Sequence, residues 1–175
     1  MTDPSDRGEA RRRAGAWERV SREQYLLHAD SAAAAGWGRE HPEAFGGLWF
    51  DNDDAEAGVG AVRIAVAVRA RTSQVVVHSL RSRLQHPDRL TLVPCEFSMR
   101  ELEAALRGIR DRHMPDRRGR GAHVTTLSLN IRRNRIEVGL SERDDDKARG
   151  IADEFAGLPV VFVHGVRVAP VAPGL

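Results

Sequence analysis

Apolar and polar positions alternate with a period of two along several stretches of this chain. Val62, Ile64, Val66 and Val68 alternate with Arg63, Ala65, Ala67 and Arg69, which predicts a strand with one buried face. Leu127, Leu129 and Ile131 alternate with Ser128 and Asn130, and Ile136, Val138 and Leu140 alternate with Glu137 and Gly139. Between these two strands, Arg132-Arg133-Asn134-Arg135 predicts a short hairpin turn with Asn134 as its left-handed residue. Leu48 to Asp51, 90–97 and 159–163 complete the set of expected strands. Helical spacing marks other stretches. Ser98 and Glu101 have the spacing of a capping box, and Leu102, Leu106 and Ile109 form one stripe to about His113. Asp144, Asp145 and Asp146 complement the dipole at the start of a helix carrying Ala148, Ile151, Ala152 and Phe155, which ends at Gly157. Residues 74–84 are ambiguous: Val75-Val76-Val77 favours a strand, but Leu80 and Leu84 at a four-residue spacing favour a helix, and a helix is expected. Trp17, Val20, Tyr25, Leu26 and Leu27, with the Ala32 to Ala35 run, predict one N-terminal helix ending at Gly36, followed by a loop to Gly47.

These elements fall into an order used twice: strand, strand, helix, strand. A three-stranded sheet buries an apolar face only when helices cover it. The expected fold is therefore α+β, with two small subdomains of mostly antiparallel sheet, joined by a helix and preceded by an extra N-terminal helix. The spans expected are a disordered basic tail (1–15), N-terminal helix and loop (16–43), first unit with connecting helix (44–113), linker (114–121), second unit (122–165) and extended tail (166–175).

The length of 175 residues with 41% hydrophobic content suffices for such a core, and 5% aromatic content makes it lean on Val, Leu, Ile and Ala. Lys and Arg number 27 against 25 Asp and Glu, so the surface is mixed rather than polycationic. Cys95 is the only cysteine and cannot close an intramolecular disulfide. Residues 1–15 have no apolar core of a secretory signal, and the run 61–70 is broken by Arg63 and Arg69, too short and charged to span a bilayer. A soluble, cytoplasmic protein is expected.

Candidate chemistry is sparse. His28, His41, His78, His86, His113, His123 and His164 lack metal-site spacing. The cluster Asp51-Asn52-Asp53-Asp54 lacks the later glycine and acidic residue of a calcium loop, Arg63 standing at the twelfth position. Ser98 is used as a cap, and Gly58-Val59-Gly60 leads into a strand, unlike a phosphate loop. No catalytic residue, cofactor or metal ligand is assigned. One basic patch, Arg107, Arg110, Arg112, Arg117, Arg118 and Arg120, is the basis for an alternative reading as a nucleic-acid-binding α+β module, with Asp111 and Asp116 interleaved against it.

The motifs in their order carry a resemblance. Gly46-Gly47-Leu48-Trp49-Phe50-Asp51 is followed by His86-Pro87-Asp88-Arg89-Leu90-Thr91-Leu92-Val93, then by Phe97-Ser98-Met99-Arg100-Glu101-Leu102, by Arg133-Asn134-Arg135-Ile136-Glu137-Val138 and by Pro159-Val160-Val161. Over roughly 44–163 this resembles the pro-region of secreted bacterial serine proteases of the alpha-lytic protease and streptogrisin type. The resemblance implies two small α/β subdomains that assist folding of a protease and block its active site. It implies a non-catalytic protein-interaction module whose partner is a serine protease or another separately encoded chain. The partner-facing positions would be Leu127, Leu129, Ile131, Asn134 and Val138 in the second sheet and Val168, Pro170, Val171 and Leu175 in the tail. No protease domain, secretory signal or Gly-Asp-Ser-Gly motif accompanies them, so a covalently attached foldase is not expected. Self-association is a further option, through edge strands or the apolar face bearing Trp17, Tyr25 and Leu26.

Overall fold

The computed structural model describes residues 4–53, 60–114, 124–140 and 144–164, with side chains described from 14 to 163 within those ranges. The chain divides into two compact units between Cys95 and Glu96. The first contains α1 (Pro4–Leu26), α2 (His28–Glu40), β1 (Phe45–Asp51), β2 (Arg63–Arg69), α3 (Gln74–Arg81), a 3-10 turn (Pro87–Arg89) and β3 (Leu90–Cys95). The second contains α4 (Met99–His113), β4 (Val124–Asn130), β5 (Arg135–Leu140), α5 (Asp145–Glu154) and β6 (Val160–His164). The fold is α+β with two three-stranded sheets, ordered β1-β2-β3 and β4-β5-β6.

The two sheets repeat one another residue for residue. In each, a hairpin pairs the first two strands antiparallel, and a helical crossover brings the third strand parallel to the second. Each sheet therefore carries one antiparallel and one parallel ladder, because a strand-helix-strand connection returns the chain in the same direction. Both hairpins also carry a register shift at the same place, between Phe45 and Gly47 in one and between Val124 and Thr126 in the other. Gly46 of the first bulge is squeezed: a Cβ there would sit 2.4 Å from the Cys95 sulfur.

The boundary expected at 114–121 moves to the Cys95–Glu96 junction. Helix α4, expected as a connector attached to the first unit, belongs to the second. Its Leu102, Ala105 and Ile109 are buried with Val124, Ile136, Val138, Leu140 and Ile151 in one cluster. Each fully buried aliphatic side chain of this kind stabilises by about 1.5–3 kcal/mol, so α4 contributes a large share of that core. The repeated unit is thus helix, strand, strand, helix, strand, with α2 standing before β1 as α4 stands before β4.

The N-terminal region departs from expectation in three ways. Residues expected to be disordered before Ala14 include the start of α1 at Pro4. The single expected helix is two, separated at Leu27, whose backbone leaves the helical range at ψ 5°. Gly36 does not end α2, which continues to Glu40, and β1 starts at Phe45 instead of Leu48. Packing overrides the glycine signal here. Trp37 is fully buried, and a Cβ on Gly38 would lie 2.7 Å from the Phe45 ring, so Gly38 is what lets that ring close over the helix.

Helix α3 settles the ambiguous 74–84 stretch. Ser73 caps it by accepting from the Val76 amide, Leu80 is buried, and Val76 and Val77 pack on the first core while Val75 is 79% exposed. Burial of one side of the Val run is a helical pattern, not a strand's alternation. The capping box at Ser98 and Glu101, the left-handed Asn134 (φ 49°) and the Asp144 cap of α5 form as expected. On α5, Ala148, Ile151 and Phe155 join the core, whereas Ala152 is exposed. Among the described residues no helix is long and apolar enough to cross a membrane.

Candidate interaction surface

The second sheet has two chemically distinct faces. Helices α4 and α5 cover the face that bears Ile136, Val138 and Leu140, all fully buried, with Leu127, Leu129, Val160 and Phe162 packed around them. By the period of two, the other face carries Ser128, Asn130, Arg135, Glu137, Val161 and Val163. Glu137 organises it. Its Oε1 accepts from Arg135 Nε at 3.0 Å, from Arg135 Nη2 at 2.7 Å and from Asn130 Nδ2 at 2.9 Å. The Arg135 hydrogen bond, followed by that of Asn130, holds the Glu137 carboxyl below its ordinary range. Beside this polar patch, edge strand β6 offers Val161 and the 39% exposed Val163.

This geometry redistributes the expected partner-facing positions. Val138 is fully buried in the core, and Leu127 and Leu129 pack against the same core partly buried. Asn134 is committed to the fold: Oδ1 accepts from the amides of Glu96 and Phe97, and Nδ2 donates to the Phe97 carbonyl. Ile131 stands in the hairpin turn. Val168, Pro170, Val171 and Leu175 lie outside the described residues. The residues that the sheet does present, Ser128, Arg135, Glu137, Val161 and Val163, are the alternate phase of the same strands. The alternation visible in the sequence marks this polar phase as the outward one, whereas the positions implied by the resemblance fell on the apolar phase.

The basic patch is similarly occupied. Arg107 pairs with Glu103, Arg110 with Asp111, and Arg112 with Glu154 while lying 5.7 Å over the Phe155 ring. Arg117, Arg118 and Arg120 lie outside the described residues. His113 bonds Glu154 through Nε2 at 2.7 Å, and this bond chiefly holds the Glu154 carboxyl below its ordinary range.

In the first unit two features concentrate polar chemistry. Asp30, only 1% exposed, accepts from the Gln85 amide at 2.6 Å, the His86 amide at 3.1 Å and His86 Nδ1 at 2.8 Å. A cavity of about 580 Å³ opens where the α2–β1 turn meets the start of α3, lined by Glu40, His41, Glu43, Arg69, Arg71 and Ser73 among others. Glu40 is held there by two hydrogen bonds from Arg83, which keep its carboxyl below the ordinary range. His41 stacks on Trp37 with ring centroids 4.8 Å apart. No nucleophile–base–carboxylate arrangement arises from these contacts. Among the described residues no group of three or more His, Cys, Asp and Glu could hold a metal ion.

No protein-family model matches the chain, and no curated protein matches it.

Proposed function

We propose that the chain is a non-catalytic protein-interaction module, similar to a serine-protease pro-region, that docks a protein partner through its second sheet. The observation that carries this reading is the free side of β6. Exposed sheet edges are normally blunted by bulges, prolines or charges, because an unpaired row of amides and carbonyls captures other strands. Of the four edge strands, β1 and β4 carry bulges and β3 carries Pro94. Strand β6 has none of these devices: its residues are Val-Val-Phe-Val-His, with His164 where the first sheet has Pro94. Among the described residues it pairs only with β5. An extended segment of a partner would add there as a fourth strand, with main-chain hydrogen bonds supplying affinity and the flanking side chains supplying specificity.

The test is inhibition of, and complex formation with, a secreted serine protease of the alpha-lytic type. The intact chain should form a stoichiometric complex and inhibit hydrolysis of a peptide substrate. Val161→Lys and Val163→Lys place charges beside the edge and should each weaken inhibition by about tenfold or more. Absence of both complex and inhibition with folded protein would overturn the protease-directed reading. Inhibition unchanged by both lysines would move the docking surface away from β6.

A further inference from the structure

We propose that the outward face of α3 binds double-stranded DNA, seating its cationic stripe in the major groove. Residues 57–87 contain five arginines, Arg63, Arg69, Arg71, Arg81 and Arg83, and no aspartate or glutamate. Across the chain 25 of 175 residues are acidic, one in seven, so a run of 31 residues with none is a segregation of charge. The remaining 144 residues carry 22 basic against 25 acidic side chains, so this one segment supplies all of the excess positive charge.

The fold turns part of that segment into a surface of one sign. Helix α3 is fixed by its inner side: Leu80 is buried in the first core, Val76 and Val77 pack against it, and Trp37 Nε1 donates to Ser79 Oγ at 3.0 Å. Its other side presents Gln74, His78 and Arg81, four and then three residues apart, which aligns them in a stripe about 10 Å long. All three are exposed, as is Arg71 in the turn before the helix. Neither Arg71 nor Arg81 has an ion pair among the described residues. Arg83 is neutralised by Glu40 through two hydrogen bonds, and Glu43, which lines the same cavity as Arg71, leaves it unpaired. The arginines of α4 differ in this respect, because Arg107, Arg110 and Arg112 each have a carboxylate partner.

Charge and shape together select the partner. The stripe is convex, cationic and rich in hydrogen-bond donors, the complement of a groove that is concave and walled by phosphates. The major groove of B-form DNA is about 12 Å wide and admits one α-helix. Gln74 and Arg81 are the side-chain types that make paired hydrogen bonds to adenine and guanine edges there, and Arg71 and His78 would meet phosphates. A protein partner needs apolar or aromatic anchors at the centre of the contact, and Val75 is the one large apolar side chain this face exposes prominently. An anionic membrane needs a broad apolar side to bury, and α3 already uses that side in the core. The deep, narrow major groove of A-form RNA does not admit side chains in this way.

Fluorescence anisotropy of a labelled duplex of about 20 base pairs and mixed sequence, titrated with the full chain, tests the proposal. Saturable binding is expected at about 50 mM salt, weakening about tenfold to fortyfold by about 200 mM, as two or three neutralised phosphates require. Arg71→Ala and Arg81→Ala should each lower the slope of log affinity against log salt by about one, with unchanged urea midpoints. The double reversal Arg71→Glu/Arg81→Glu should abolish binding, whereas Arg107→Ala/Arg110→Ala should leave it unchanged. Absence of saturable binding at the lower salt overturns the proposal. So does binding that survives the double reversal, or that the α4 variant weakens instead. Displacement of the labelled duplex by polyglutamate as effectively as by unlabelled duplex also overturns it, and assigns the face to an acidic polypeptide.

Discussion

Asn134 holds Phe97 by both polar groups of its backbone: Oδ1 accepts the Phe97 amide at 2.8 Å and Nδ2 donates to the Phe97 carbonyl at 2.9 Å. A third bond, from the Glu96 amide at 3.2 Å, completes the clamp. The residue that makes the β4–β5 turn, with φ at 49°, is therefore also the one that fixes where α4 begins. Asn134→Ala removes the three bonds and places a Cβ residue without Asn's local compensation in the left-handed region. A loss of about 2–4 kcal/mol in urea unfolding is expected. Asn134→Gly keeps the turn and loses only the clamp, so it should cost less than the alanine variant. Equal stability of all three proteins would show that the clamp contributes nothing.

Much of this arrangement could be read along the chain. The strands at 63–69, 124–130 and 135–140, the Ser98–Glu101 box and the carboxylates before α5 are local signals, and local physics decided them. The single buried face expected of 62–69 is not found, because β2 buries Ala65 and Ala67 as well as Ile64, Val66 and Val68. The extent of α2 was hidden because Gly36 and Gly38 look like helix stops, while the burial of Trp37 and the close Phe45 ring that keep the helix going are tertiary facts. The outward phase of β5 was legible in the alternation itself, because Glu137 is charged and Ile136, Val138 and Leu140 are apolar; the partner-facing positions implied by the resemblance fell on the apolar phase. The Asp30 contact with Gln85 and His86 spans more than fifty residues and left no local trace.

That Asp30 contact should be intolerant of even an isosteric change. Gln85 donates to Oδ1 and His86 donates to Oδ2, so an asparagine there would have to turn its NH₂ group toward one of two N–H donors. Asp30→Asn should destabilise by about 2 kcal/mol and Asp30→Ala by about 3 kcal/mol, whereas His86→Ala, at a half-exposed ring, should cost about 1 kcal/mol or less. Urea midpoints at constant slope measure this. An Asp30→Asn variant as stable as the parent would remove the donor–donor argument.

The Glu137 cluster predicts a pH signature. Its carboxyl is held below the ordinary value of 4.5, chiefly by the Arg135 hydrogen bond. A depressed folded-state value means that the stabilisation is complete above the unfolded-state value and is lost as pH falls through the folded one. The difference in urea midpoint between the parent and Glu137→Gln should therefore be constant between about pH 6 and 8 and shrink below about 4.5. The effect should be small and reduced by salt, because the groups lie near solvent. A difference that persists undiminished to about pH 3 would contradict the assignment.

The position of the unit boundary is the most direct statement the fold makes about independent folding. Residues 96–175 contain every member of the second core: Leu102, Ala105 and Ile109 from α4, the apolar phase of β4 and β5, and Ile151 from α5. A fragment starting at residue 96 should unfold cooperatively in urea and keep dispersed amide resonances. A fragment starting at residue 114 has the same sheet and α5 but lacks the helix that seals one face. It leaves Ile136, Val138 and Leu140 facing water, and three strands with one helix seldom hold a core of that size closed. It should be unfolded or aggregate. The comparison separates two descriptions of α4, because a connector could be removed with little effect, whereas a first element of the repeated unit could not. Cooperative folding of the shorter fragment would return α4 to the role of linker and place the boundary after His113.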